Sequence, residues 1–207
     1  ETATVSAQSS TSDSVEQRVG TVGRVHPHLE IKIVDEQGKV VPRGQLGELC
    51  VRGYSVMLGY WEDHEKSGEV IDSARWMHTG DIAEMDEAGF AKIKGRIKDV
   101  VIRGGENLFP KEIEDFLYTH PDVSDVQVIG LPDARYGEEL CACIILHEHH
   151  EITEESIRQY CAEHISHNKV PRYVRFFNEF PMTASGKAQK FKLQEFMRNE
   201  LDLKEIA

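Results

Sequence analysis

Between Leu29 and Val34 apolar and charged residues alternate (LEIKIV), the two-residue period of a strand with one face in a core. EQGK supplies a turn, and LGELCVRG, residues 46–53, resumes extended structure. HEKSGEVI reads as a short helix, RWMHTGDIAEM as a pair of short strands broken at Gly80, DEAG as a hairpin turn and FAKIKGR as the returning strand. After Arg96 the pattern becomes an alternation of strands and helices. KDVVIRGG reads as a strand joined through Gly104 and Gly105 to a helix that opens near Asn107 and Pro110, carries Ile113, Phe116 and Leu117 at helical spacing, and ends near His120 and Pro121. DVQVIG and ELCACIIL are two strands apolar enough to be central. Thr153 caps a helix with Glu154 and Glu155 in its first turn and Ile157, Cys161 and Ile165 along its buried stripe. YVRFF is the last strand, and PMTASGK leads to a C-terminal helix containing Phe191, Phe196 and Met197.

The expected fold class is therefore α+β. Residues 1–96 form a β-rich region, and residues 97–207 a small α+β domain with a central sheet flanked by helices. The change of character falls at 95–98 without the Pro/Gly/Ser linker that often marks a boundary. Residues 2–19 are rich in Ser and Thr and follow Glu1 without a methionine, which reads as the cut edge of a longer protein.

Composition narrows the function classes. A chain of 207 residues with 40% apolar content can build a core. A formal net charge of -12, with no Lys/Arg run longer than two, argues against nucleic-acid or anionic-membrane surfaces, which need a concentrated positive field. No apolar stretch approaches the ~20 residues that span a bilayer. Cys50, Cys141, Cys143 and Cys161 are too few and too irregularly spaced for a disulfide framework, and Cys141 and Cys143, two apart in a strand, are expected as buried thiols. The histidines of HEHH, 147–150, lack a partner cluster and read as a solvated turn rather than metal ligands.

Three stretches carry candidate chemistry. In RWMHTGD the glycine permits a turn, and the Asp81 carboxylate could accept from the two hydroxyls of a ribose, although an ordinary turn residue has the same pattern. In GRIKDVVIRGGENLFPKEIE, Arg96 offers a fork of donors to phosphate or ribose oxygens, and Gly104 and Gly105 let backbone approach a ligand; a tight connection with a surface Arg is the competing reading. In PMTASGK, Lys187 stands on a Ser-Gly turn that reads as flexible, where a cation could swing into a site or simply be solvated.

These stretches occur together and in order, with GELCVRGYSVMLGYW upstream and GLPDARYGEE between the second and third. The whole chain resembles the adenylate-forming enzymes, the family of acyl-CoA synthetases, luciferases and peptide-synthetase adenylation domains. Through RGYSVMLGYW, IRGGEN and SGKAQKFKL it is most similar to the medium-chain fatty acyl-CoA synthetases. The family's phosphate loop of the type TSGTTGxPKG is absent, so the resemblance implies the end of a large AMP-binding domain followed by a small mobile one, with the N-terminal part of the same polypeptide missing.

What the resemblance implies is a ligase that activates a fatty acid with ATP to acyl-AMP, then transfers the acyl group to CoA, releasing AMP and pyrophosphate. Lys187 would be catalytic, bridging carboxylate and phosphate. Asp81 and Arg96 would hold ATP and AMP, Glu1 would ligate Mg2+, and Lys98 would be the hinge of a rotation between half-reactions. Gly104, Gly105, Glu106 and Lys169 would line the CoA channel. Lys190 departs from the arginine often found three positions after the catalytic lysine. The alternatives are adenylation of an amino or aryl acid for a carrier protein, and a non-catalytic binding module. The isolated fragment is expected to be inactive. The compartment would be cytoplasmic in a bacterium or the mitochondrial matrix in a eukaryote.

Overall fold

The computed structural model describes residues 5–150 and 152–203. It divides into two compact units, one ending at Lys98 and the other beginning at Asp99. Glu1, the expected metal ligand, lies outside the described residues. Among the described residues no helix is long and apolar enough to cross a membrane.

In the first unit, β1 (Ala7–Gln8) and β2 (Arg24–Val25) form a small antiparallel pair around α1 (Val15–Gly20), which Ser14 and Gln17 close with a reciprocal capping box. The main sheet is an antiparallel meander of β3 (Leu29–Val34), β4 (Gly47–Gly53), β5 (Met77–Met85) and β6 (Ala91–Arg96). Between β4 and β5 lies α2 (His64–Val70), capped by the Asp63 side chain. One face of the sheet packs Ile33, Leu49, Val51 and Ala83 into a core.

RWMHTGDIAEM is not a pair of strands. From Met77 onward it forms the single strand β5, and the break expected at Gly80 is a bulge. His78 pairs with Cys50 and Ile82 with Glu48, so Thr79, Gly80 and Asp81 stand opposite Leu49 alone.

The second unit follows a short 3-10 turn, Ile97–Asp99. It contains β7 (Val101–Arg103), β8 (Glu106–Leu108), α3 (Pro110–Leu117), β9 (Val123–Asp133), β10 (Gly137–Leu146), α4 (Glu154–His164), β11 (Tyr173–Phe176) and α5 (Lys190–Glu200). Strand β10 pairs antiparallel with β9 on one side, and on the other with β11 in parallel and with β7 at Gly137. The parallel β10–β11 connection requires a crossover, which α4 supplies. Leu140, Ala142 and Ile144 enter one core with Val126, Val128, Ile113, Leu117, Ile157 and Cys161. Cys141 and Cys143 enter the other, with Ile129, Leu131, Leu193 and Met197. All four cysteines are buried free thiols. In α5 the buried stripe is Leu193 and Met197, while Phe191 and Phe196 face solvent.

Gly104 and Gly105 do not join a strand to a helix. They are the two central residues of the β7–β8 hairpin, in which Arg103 pairs with Glu106. Asn107 lies within β8, and the helix begins only at Pro110. Both glycines have positive φ, +60° and +86°, the requirement of a two-residue type I′ turn.

A Cβ at Gly105 would meet nothing within 4 Å, so only backbone strain opposes a side chain there. Gly105→Ala should lower stability by about 1–2 kcal/mol, the cost of a left-handed L-residue. Gly105→Asn, whose side chain tolerates that region, should recover most of the loss. Urea unfolding of the three proteins checks this.

Candidate active site

In the first unit the chemistry gathers at the β5 bulge. Hydrogen bonds from side chains define it: Thr79 Oγ1 donates to the Leu49 carbonyl (2.8 Å), the Gly80 N–H donates to Glu48 Oε1 (3.0 Å), and the Asp81 N–H donates to Thr79 Oγ1 (3.1 Å). Gly80 takes φ +71°, which its lack of a side chain permits. Asp81 then pairs across the sheet with Arg96, Oδ1 to Nε 3.2 Å, so two of the expected site residues meet. Arg96 is half exposed and Asp81 less so.

Glu48 was not among the residues singled out from the sequence. Its second oxygen lies 2.7 Å from His78 Nδ1, and the Cys50 thiol lies 3.5 Å from the same nitrogen. Burial first, and the Glu48 charge second, push the Cys50 thiol up to about 12, so it stays protonated. Among the described residues Glu48, Cys50 and His78 are the one group of metal-type donors gathered within 4.8 Å. Both carboxylate oxygens already have protein partners.

In the second unit, the Gly104 N–H donates to the Tyr136 carbonyl (2.8 Å), fastening the hairpin to the turn before β10. Beneath it lies an ionic network that sequence reasoning missed. Glu139 is 1% exposed, and its Oε2 lies 2.8 Å from Arg103 Nε. Arg103 also donates from Nη1 to the Asn168 carbonyl (3.0 Å). Arg172 Nη1 stands 3.8 Å from Glu139 and 2.7 Å from Asp133. The Tyr136 and Arg135 N–H groups both donate to Asp133 Oδ1 at 2.9 Å. The Tyr136 bond, followed by the Arg135 bond and the nearby arginines, holds the Asp133 carboxyl below the usual carboxylate range against a partial desolvation penalty. One signal for Glu139 was present: it shares its strand parity with Cys141 and Cys143, which were expected to be buried.

The residues expected to line a CoA channel lie on this side of the second unit. Glu106 accepts from Asn168 Nδ2 (2.6 Å), and the adjacent Lys169 ion-pairs with Glu112 (2.5 Å). Lys169 is therefore partnered rather than merely solvated. Lys187 lies on the turn before α5. The turn that carries it is closed from both ends: the Thr183 N–H donates to the Lys187 carbonyl (2.8 Å), and the Lys187 N–H donates to Thr183 Oγ1 (3.0 Å). The Lys187 side chain itself is exposed. Lys190 has a structural role, with Nζ 2.6 Å from Glu114 and 3.1 Å from the Val128 carbonyl, tying α5 to α3 and β9. Lys98 lies in the 3-10 turn where the two units join.

Comparison with known proteins bears on the family. Residues 1–61 match the model of the AMP-binding enzymes, and residues 112–187 that of the AMP-binding enzyme C-terminal domain. A mitochondrial medium-chain acyl-CoA ligase of Bos taurus is 54% identical over 93% of this chain and 32% of its own length. The Homo sapiens protein of the same name is 52% identical over 92% of this chain and 31% of its own. The chain thus spans about a third of the length of the curated relatives it matches. Among solved structures, ATP-bound MatB from Rhodopseudomonas palustris superposes with a TM-score of 0.81 at 35% identity, covering 87% of this chain and 36% of that one.

The depressed Asp133 carboxyl has a consequence for stability. Its contribution is fully present above the ordinary aspartate value of about 3.9 and is lost as pH falls through the lower folded value. Asp133→Asn should therefore be less stable than the parent at pH 7, and the gap should close in strong acid. Thermal unfolding across pH measures that gap.

Proposed function

We infer the function from the family, for this chain belongs to the AMP-binding enzymes. The protein that carries it activates a fatty acid with ATP, giving acyl-AMP and pyrophosphate, and passes the acyl group to the CoA thiol with release of AMP. Identity of 52–54% to proteins named as medium-chain acyl-CoA ligases is the observation that carries this reading, and it favours a medium-chain acid. The same names favour a mitochondrial location.

The first half-reaction brings a carboxylate against a phosphate, so neutralising two anions dominates its barrier. Lys187 is the cation proposed to neutralise them, with its backbone held at Thr183 while its side chain remains long and exposed. Asp81 accepts the two ribose hydroxyls, and Arg96, facing it across the strands, orients that carboxylate and offers its remaining donors to ribose or phosphate oxygen. Glu1 as a Mg2+ ligand rests on the resemblance alone, and no step here is routed through a metal.

In the second half-reaction the thiol approaches the same acyl phosphate, and a lysine parked there would obstruct it. Lys98 is proposed as the hinge that exchanges one arrangement for the other. The hairpin of Gly104 and Gly105, with Glu106 and Lys169 beside it, is proposed to border the pantetheine arm. Two glycines make a hairpin tip with no side chain to fill the channel, a use that adds to their conformational role.

The test of the function is release of pyrophosphate and AMP by the complete protein, dependent on ATP, CoA and octanoate; octanoyl-CoA must appear in step. In that assay Lys187→Ala should lower acyl-AMP formation by orders of magnitude, while synthetic acyl-AMP plus CoA still yields thioester at near-parent rate. Equal loss in both half-reactions would make the lysine structural.

Lys98→Pro separates hinge from scaffold. A 3-10 turn has φ near that of proline, so the arrangement described for residues 97–99 should survive. One half-reaction should persist and the other fall, with the melting temperature unchanged, whereas loss of both rates together with stability would leave position 98 a purely structural role.

A further inference from the structure

We propose that Glu48 is a positioning residue for the nucleotide contact, acting through the β5 bulge on Asp81; the proposal rests on the ribose role given to Asp81. The bulge creates the need. With three residues of β5 opposite Leu49 alone, the regular ladder to β4 is interrupted, and the N–H groups within the bulge must find other acceptors. Side chains provide them: Thr79 Oγ1 takes the Asp81 N–H, and Glu48 Oε1 takes the Gly80 N–H. Gly80 is the apex; the Cβ position of its left-handed backbone is open to 4 Å, and its N–H is held by the Glu48 carboxylate.

The same carboxylate is anchored at its other oxygen. His78 Nδ1 lies 2.7 Å from Oε2, within hydrogen-bond distance. His78 is also the last residue of β5 in regular pairing before the bulge, opposite Cys50. Glu48 thus clasps the bulge at its entry and its apex. Asp81 stands at the exit, just before pairing with β4 resumes at Ile82, and on the other side of β5 it pairs with β6 and meets Arg96. A carboxylate that must accept two hydroxyls of one ribose needs a fixed direction. A displacement of about 1 Å in such a contact can cost a hundredfold in rate, so a clasp on the neighbouring residue has leverage on binding.

The experiment is acid-dependent pyrophosphate exchange in the complete protein, with KM for ATP and kcat measured for E48A, E48Q, D81N and E48A/D81N, each beside a thermal unfolding curve. E48A should raise KM for ATP by about tenfold or more. E48Q keeps an oxygen for the Gly80 N–H and should recover most of that loss. The cycle discriminates positioning from general destabilisation: in the D81N background, E48A should raise KM no further, because its effect passes through Asp81. Hydrogen–deuterium exchange of the peptide spanning residues 78–82 should be faster in E48A than in the parent. Additive increments in the cycle, or a lowered melting temperature with KM unchanged, overturn the proposal. Unchanged exchange at the bulge removes the clasp itself. If D81N alone leaves KM for ATP unaltered, it is the nucleotide reading of Asp81 that fails, whatever Glu48 does to the bulge.

Discussion

Strand β10 is buried on both faces from Leu140 to Ile144, and the second unit is organised around that constraint. A strand with two dry faces must pair every main-chain group within the sheet, which β9 and β11 do over Cys141–Ile144 from opposite sides. It must also be covered twice. Helices α3 and α4 contribute Ile113, Leu117, Ile157 and Cys161 to one cover, and α5 contributes Leu193 and Met197 to the other. Each fully buried Leu or Ile of this set contributes about 1.5–3 kcal/mol. The Gly104–Gly105 hairpin and the Lys187 turn are both attached to this frame, the first through the Tyr136 carbonyl and the second at the entry to α5.

In those apolar surroundings Glu139 is costly, since a carboxylate taken from water loses several kcal/mol that its partners have to offset. Two guanidiniums lie beside it, and Arg103 belongs to β7 while Arg172 precedes β11. The three residues therefore tie together the strands that flank the start of β10. An apolar side chain would fill the space and leave those strands without a common anchor. Lys190 makes the analogous tie between α5, α3 and β9 with Glu114. In both cases an ion pair fixes the relative position of elements that hydrophobic contact alone would hold less specifically.

Local pattern made β3, β4, β10, α3 and α4 legible, because each has its own alternation, apolar run, cap or stripe within a few residues. The β5 bulge was not legible in that way. Relative to β4 it inserts two residues, an even number, so the alternation of faces resumes in phase after Asp81 and the hydrophobic pattern records nothing. The β8 strand escaped for another reason: only Leu108 of its three residues is buried, too little to show a period. Asp81, Arg96 and Lys187 stood out through resemblance to a family, whereas nothing in LGELCVRG singled out Glu48. Its partners, His78 and Gly80, are 30 and 32 residues away, and only the paired strands bring them within reach.

The two proposed contacts to ATP are held in different ways, and the chemistry of each accounts for the difference. A carboxylate receiving two vicinal hydroxyls acts through directional hydrogen bonds, worth about 1.5–3 kcal/mol each to a charged group, which weaken steeply when the angle is wrong. Asp81 is short, and its backbone is determined by the bulge that Thr79 and Glu48 secure. An ammonium stabilising charge that builds on moving oxygens acts as a point charge, whose energy falls only with the inverse of distance. For Lys187 a fixed backbone and a long exposed side chain suffice, since reach matters more than angle. The ribose contact thus demands a constrained main chain at the residue itself, and a bulge supported by side-chain hydrogen bonds is a local means of imposing that constraint without altering the alternation of the strand beyond it.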